Sequence, residues 1–140
     1  MSDILQISEG VSLAFHSLAI LADKYNQVIP TCNIAIELQV SENHLAKIHQ
    51  RLTRAGLIRS IRGPQGGVQL ARCPNSISLL NIYEVIEGKF NCHSCIRNHN
   101  NCTRFSCIFN GIIKQANMQI QQYLQNTTLQ DICSTTNKSC

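Results

Sequence analysis

Between Ser41 and Arg72 the spacing of apolar residues changes from a helical period to a strict alternation, and Gly56 marks the change. Leu45, Ile48, Leu52 and Ala55 recur at steps of three and four, which is one face of a helix, and Ser41 is placed to cap its start. Lys47, Arg51 and Arg54 fall on its other faces, and Gly56 stands where a left-handed C-cap ends a helix. Beyond it Leu57-Ile58-Arg59-Ser60-Ile61-Arg62 alternates apolar and polar, Gly63-Pro64-Gln65-Gly66-Gly67 is a turn, and Val68-Gln69-Leu70-Ala71-Arg72 alternates again. That pattern predicts a β-hairpin with arginines on its exposed face and tip. Upstream, Ile34, Ala35 and Leu38 predict a short helix with Thr31 as its cap. Two short helices joined by a tight turn, the second the more basic, form a helix-turn-helix; a basic hairpin directly after it makes a winged helix. The plainer alternative is a hairpin that only covers the edge of the core, with its arginines solvated.

Charge favours the first reading. From Asn43 to Tyr83 there are six basic residues (Lys47, Arg51, Arg54, Arg59, Arg62, Arg72) and no acidic one, while the rest of the chain sets six basic against eight acidic. A net charge of only +4 is thus concentrated on one segment, where an anionic partner is expected.

The remaining elements predict a mainly α fold with a small β-hairpin wing. Ile7, Val11, Ala14, Leu18, Leu21 and Tyr25 form one stripe of a helix over roughly residues 8 to 25, with Ser8 as its cap. A helix from Ser78 to Glu87 turns Leu79, Ile82, Val85 and Ile86 inward and stops at Gly88. Residues 89 to 106 have little periodicity and read as a loop. A last long helix starts near Ser106, with Ile108, Ile112, Ala116, Ile120 and Tyr123 in one stripe, widened by Phe109, Ile113 and Leu124. So wide a stripe at the end of a small domain is expected to pack on a second copy, giving a homodimer. Residues 1–75 would then be the winged helix-turn-helix DNA-binding domain, and 76–140 a cysteine loop with a dimerisation helix. Residues 127 to 132 add a short turn, and Ser134 to Cys140 a frayed tail. His16, Asp23 and Lys24 interrupt the longest apolar run, so no membrane span is expected. Asp3 and Glu9 lie where a signal peptide needs a basic start, so a cytoplasmic, reducing location is expected.

Eight cysteines are many for 140 residues, and four of them, Cys92, Cys95, Cys102 and Cys107, are spaced C-x2-C-x6-C-x4-C. In a reducing compartment clustered thiols point to metal or redox sensing. Four thiolates suit zinc in a closed tetrahedron or an iron–sulfur cluster, and spacing does not separate the two. Unligated thiols are the third option. Cys107 is expected in the first turn of the long helix, where the helix dipole favours a thiolate. His93 and His99 could replace a thiolate but read better as exposed loop residues. Cys32 reads as a small buried hydrophobe, Cys73 as structural, and Cys133 and Cys140 as free thiols of the tail.

Laid out in order, Val40-Ser41-Glu42-Asn43-His44-Leu45-Ala46-Lys47-Ile48, Gln50-Arg51-Leu52, Ala55-Gly56-Leu57-Ile58 and Arg62-Gly63-Pro64-Gln65-Gly66-Gly67-Val68-Gln69-Leu70-Ala71 resemble the bacterial winged-helix regulators of the IscR/NsrR type. Ile77-Ser78-Leu79-Leu80, Ile86-Glu87-Gly88 and Thr128-Leu129-Gln130-Asp131-Ile132 extend the likeness over roughly residues 5 to 133. The resemblance implies a homodimer that binds palindromic, double-stranded operator DNA and uses an iron–sulfur cluster, two-iron or four-iron, to regulate transcription. That family usually carries three cysteines before the long helix. Cys102 and Cys107 match the last two, and Cys92 or Cys95 the first. A histidine ligand that some members use is replaced here by Asn110. Others take a carboxylate from the start of the partner's first helix, and Glu9 sits at the matching place. The fourth ligand is therefore Glu9, or else all four loop cysteines ligate. Some relatives carry no cluster at all.

In a winged helix the helix opening at Ser41 enters the major groove N-terminus first, which makes Glu42, Asn43, His44 and Lys47 the candidate base readers. Arg51 and Arg54 are expected on phosphate, and Arg59 and Arg62 on phosphate or in the minor groove. Gain, loss or oxidation of the cluster would shift the long helix and the spacing of the two reading heads. The rival readings are a zinc-stabilised or thiol-based winged-helix regulator without a cluster, and a small electron carrier. No phosphate loop, nucleotide fingerprint or nucleophile–base pair supports an enzyme.

Overall fold

A computed structural model describes residues 7–92 and 108–133. Helix α1 (Glu9–Asp23) begins at Ser8, whose hydroxyl accepts from the Val11 amide at 3.2 Å. Helix α2 (Thr31–Leu38) and helix α3 (Glu42–Arg54) form the helix-turn-helix, and Ser41 caps α3 by accepting from the His44 amide at 3.0 Å. Gly56, at φ +75°, takes the chain out of α3. Strands β1 (Ile58–Ile61) and β2 (Gly67–Leu70) pair antiparallel, Ile58 opposite Leu70 and Ile61 opposite Gly67. Ile29 joins them through two hydrogen bonds to Val68, both 2.9 Å, which ties the wing to the α1–α2 connection. A side chain at Gly67 would run into the Ile29 carbonyl, so this approach requires glycine.

A 3-10 turn (Pro74–Ser76) leads to helix α4 (Leu79–Glu87), which opens on a reciprocal capping box between Ser78 and Asn81. Helix α5 (Ile112–Asn126) and the one-turn helix α6 (Leu129–Ile132) complete the chain. Backbone bonds from Leu79 to Thr127 and from Leu129 to Ile77 fasten this end onto the start of α4. One core runs through all of it. Val11, Leu18, Ile34, Leu45, Leu52, Ile58, Ile77, Ile82 and Leu129 are almost completely buried.

Several expectations are corrected. Pro30, not Thr31, is the N-cap of α2, and the Thr31 hydroxyl turns instead toward the His49 ring. Cys32 is exposed, because the short α2 turns Ile34 and Ala35 inward and Cys32 outward. Ile7 is 52% exposed, since it precedes the cap and escapes the helical period. The long helix starts at Ile112 rather than near Ser106: Asn110 and Gly111 both have positive φ, which no right-handed helix continues through. Its apolar stripe also divides. Ile113, Asn117 and Leu124 face the core, whereas Ile112 and Tyr123 on the adjacent side remain exposed. No helix among the described residues is long and apolar enough to cross a membrane.

Candidate nucleic-acid interface and cysteine segment

Burying Leu45, Ile48 and Leu52 turns the opposite face of α3 outward. Ser41, Glu42, Asn43 and Lys47 are exposed at its N-terminal half, with His44 half-buried among them. Arg54 is exposed at its C-terminal end. Pairing of β1 with β2 buries Ile58 and Val68 and leaves Arg59 exposed, with Arg62 exposed at the wing tip. Between helix and wing lies an open cleft of about 360 Å³, lined by Thr31, His49, Gln50, Thr53, Arg54 and Ser60 among others. The fold thus leaves Lys47 and Arg54 of α3 and Arg59 and Arg62 of the wing exposed.

Sequence reasoning passed over His49, which braces this surface from behind. The ring is 4% exposed. Its Nε2 lies 2.6 Å from the Ser17 hydroxyl on α1 and its Nδ1 3.3 Å from the Thr31 hydroxyl on α2. Burial lowers its pKa from 6.5 to about 4, so the ring is neutral at physiological pH. The signal was present: residue 49 follows Leu45 by four and precedes Leu52 by three, on the buried face.

Two of the predicted residues make contacts inside the protein. The Arg51 guanidinium donates to the Ile86 carbonyl on α4 at 2.6 Å. Glu9 approaches the His44 ring, with a carboxylate oxygen 4.0 Å from Nδ1. Beside them the Ser8 hydroxyl donates to the Glu87 carboxylate.

Of the proposed sulfur ligands only Cys92 is described; Cys95, Cys102 and Cys107 lie outside the described residues, as do His93 and His99. The Cys92 thiol donates to the Gln121 side-chain oxygen on α5 at 3.0 Å, a partner that no motif signals. Among the described residues no three His, Cys, Asp or Glu side chains converge as a metal site. Cys32, Cys92 and Cys133 are free thiols, and Cys73 is disulfide-bonded. The Cys133 thiol bonds the Leu129 carbonyl, and burial followed by the nearby Asp23 carboxylate raises its pKa.

Comparison with known proteins agrees with this layout. NsrR of Bacillus licheniformis is 28% identical over 131 residues, 91% of this chain and 92% of that one. The solved structure of CymR, the global cysteine regulator of B. subtilis, is 27% identical, covers 93% of this chain and 97% of its own, and superposes with a TM-score of 0.78. T. potens IscR is 26% identical, covers 91% and 85%, and superposes at 0.71. Residues 7–135 match the Rrf2 family, described as an iron-dependent transcriptional regulator. With that match running from the first helix to the last, the chain belongs to the Rrf2 family, whose members are transcriptional regulators and not enzymes.

Proposed function

We propose that this chain is a cytoplasmic, homodimeric transcriptional regulator that reads palindromic operator DNA and senses redox state, nitric oxide or iron–sulfur status through a cluster on its loop cysteines. The observation that carries the DNA reading is the outward basic face shared by α3 and the wing. Ser41, Glu42, Asn43, His44 and Lys47 read base edges, and Arg54, Arg59 and Arg62 hold phosphate or enter the minor groove. The exposed side of α5 pairs the two copies and sets the spacing of their reading heads.

Cys92, Cys95, Cys102 and Cys107 would hold the cluster, with Glu9 of the partner subunit as the alternative fourth ligand. The donor chemistry fits, since thiolates are the usual ligands of two-iron and four-iron centres. When bound, the group supplies a centre sensitive to oxygen, nitric oxide and iron supply. The Cys92 thiol donates to Gln121 on α5; a ligating thiolate has no proton to give, so ligation would break this bond and be felt by the dimer helix. The likeness to a cysteine regulator supports a second reading, a thiol-based or zinc-stabilised regulator with no cluster.

Anaerobic purification with iron, zinc and acid-labile sulfide analysis separates these readings. The expected product is coloured, carries iron and sulfide, and differs from the chelated form in operator affinity by tenfold or more. Colourless zinc protein, or protein free of iron and sulfide after reconstitution, would sink the cluster. The wing is tested separately. Arg62→Ala is expected to weaken operator binding by about tenfold, ~1.4 kcal/mol. It should also reduce the slope of log affinity against log salt by about 0.9, the share of one phosphate. An unchanged slope would remove Arg62 from the phosphate contacts.

A further inference from the structure

The start of the cysteine segment is folded back onto α4. Past Gly88 the Phe90 amide donates to the Glu84 carboxylate at 3.2 Å, and the Phe90 ring packs on Tyr83 with centroids 5.3 Å apart. Two residues further on is Cys92. The last turn of α4 is gripped in turn from the other side. Arg51 of α3 donates to the Ile86 carbonyl, and Ser8 at the start of α1 bonds Glu87. Gly10 lies where α1, α3 and α4 meet: a Cβ there would stand 3.3 Å from both Ile48 Cδ1 and Ile86 Cγ2. Next to it Glu9 reaches His44, at the end of α3 that faces outward.

We propose that this junction is a transmission element and that Arg51 is a positioning residue in it, tying the pose of the reading helix to the end of α4 and so to the segment that carries Cys92. The proposal rests on the reading of α3 as the DNA-reading helix. Arg51 is exposed and basic, but its guanidinium is aimed at a carbonyl 35 residues away in sequence. The free carbonyls at the C-terminal end of α4 carry the negative end of that helix dipole, which favours a cation there. Because Gly10 has no side chain, Ile48 of α3 and Ile86 of α4 both close on the same point of α1, so a movement of Ile86 bears on Ile48 and hence on α3.

The test uses the full chain, operator DNA and a salt titration. Arg51→Met keeps the aliphatic stem and removes the guanidinium. It is expected to weaken operator binding about tenfold while leaving the salt slope unchanged, whereas a lost phosphate contact would lower that slope by about 0.9. Gly10→Ala adds one methyl at the junction and is expected to weaken binding severalfold. The double variant should lose less than the product of the two single effects, because both act on one contact. A merely structural loss would lower the melting temperature without this non-additive change in the affinity of the folded protein. A reduced salt slope for Arg51→Met, or wild-type affinity in both folded variants, would overturn the proposal. Should Gly10→Ala fail to fold, the salt slope of Arg51→Met decides alone. Wild-type protein that binds no operator DNA would remove the reading beneath the proposal, and the proposal with it. Equal wild-type affinity with and without iron, alongside a weakened Gly10→Ala, would remove cluster sensing and leave the junction standing.

Discussion

Ile112→Glu is expected to convert the proposed dimer to monomers and to lower operator affinity by two orders of magnitude or more. Ile112 is 53% exposed and Tyr123 61%, beside the inward row of Ile113, Asn117 and Leu124, and Ile108, in the turn before α5, is 74% exposed. So much apolar surface at this end of the chain is unusual for a lone subunit and supports the proposed dimer interface. Full burial of an isoleucine stabilises by about 1.5–3 kcal/mol, and a symmetric interface counts each position twice. A carboxylate at Ile112 reverses that contribution and places two like charges in the seam, without a partner for either. A monomer reads only one half-site, and the loss of the second, linked contact costs about 10²–10⁴ in affinity. Sedimentation and operator titration on the same preparations check this. A variant that remains dimeric, or a wild-type chain that is monomeric at micromolar concentration, would place the interface elsewhere.

The α5 surface also shows what the sequence reveals and what it hides. Local rules placed most elements, because the signals are short-range. Ser8, Ser41 and Ser78 each cap the helix that follows them, Gly56 and Gly88 each end one, and the glycine-rich turn sets the wing register. The helical period of residues 108 to 124 was also visible, but a period cannot tell a face packed on the same chain from one packed on another. Ile113 and Ile112 look alike in sequence, yet only α4 and the core decide that the first is buried. The Asn110-Gly111 pair is a local signal for left-handed backbone, and the helix begins only after it. At the candidate site the residue types were legible and their partners were not. Arg51 reads as a phosphate ligand in any basic helix, and its bond to Ile86 depends on how α4 returns across α3. Gln121 is one of several glutamines on α5, and only the fold brings it to Cys92.

The same long-range placement makes His49 the source of the largest expected pH effect on stability. The ring has a pKa near 4 in the folded protein, against 6.5 when unfolded, because burial disfavours its charged form. Between those values the unfolded chain takes up a proton that the folded chain refuses, so stability falls as pH falls. The contribution is fully present above pH 6.5, declines by up to about 1.4 kcal/mol per pH unit, and is lost through pH 4, a total of about 3 kcal/mol. Against a domain stability of about 5–15 kcal/mol that is a large fraction. Asp131 has the same sign in a different window. Hydrogen bonds from the Thr128 backbone and hydroxyl lower its pKa below the ordinary aspartate value, so its contribution is lost only at pH values below the His49 window. Urea midpoints measured from pH 7.5 to 4.5 should therefore drop steeply across the histidine range. His49→Gln keeps a neutral polar group toward Ser17 and Thr31 but cannot titrate. It should be less stable than wild type at pH 7.5 and show a much flatter profile below pH 6.5. If the variant retains the wild-type slope, the acid sensitivity belongs to another group and the ring does not brace α3 as a buried neutral histidine.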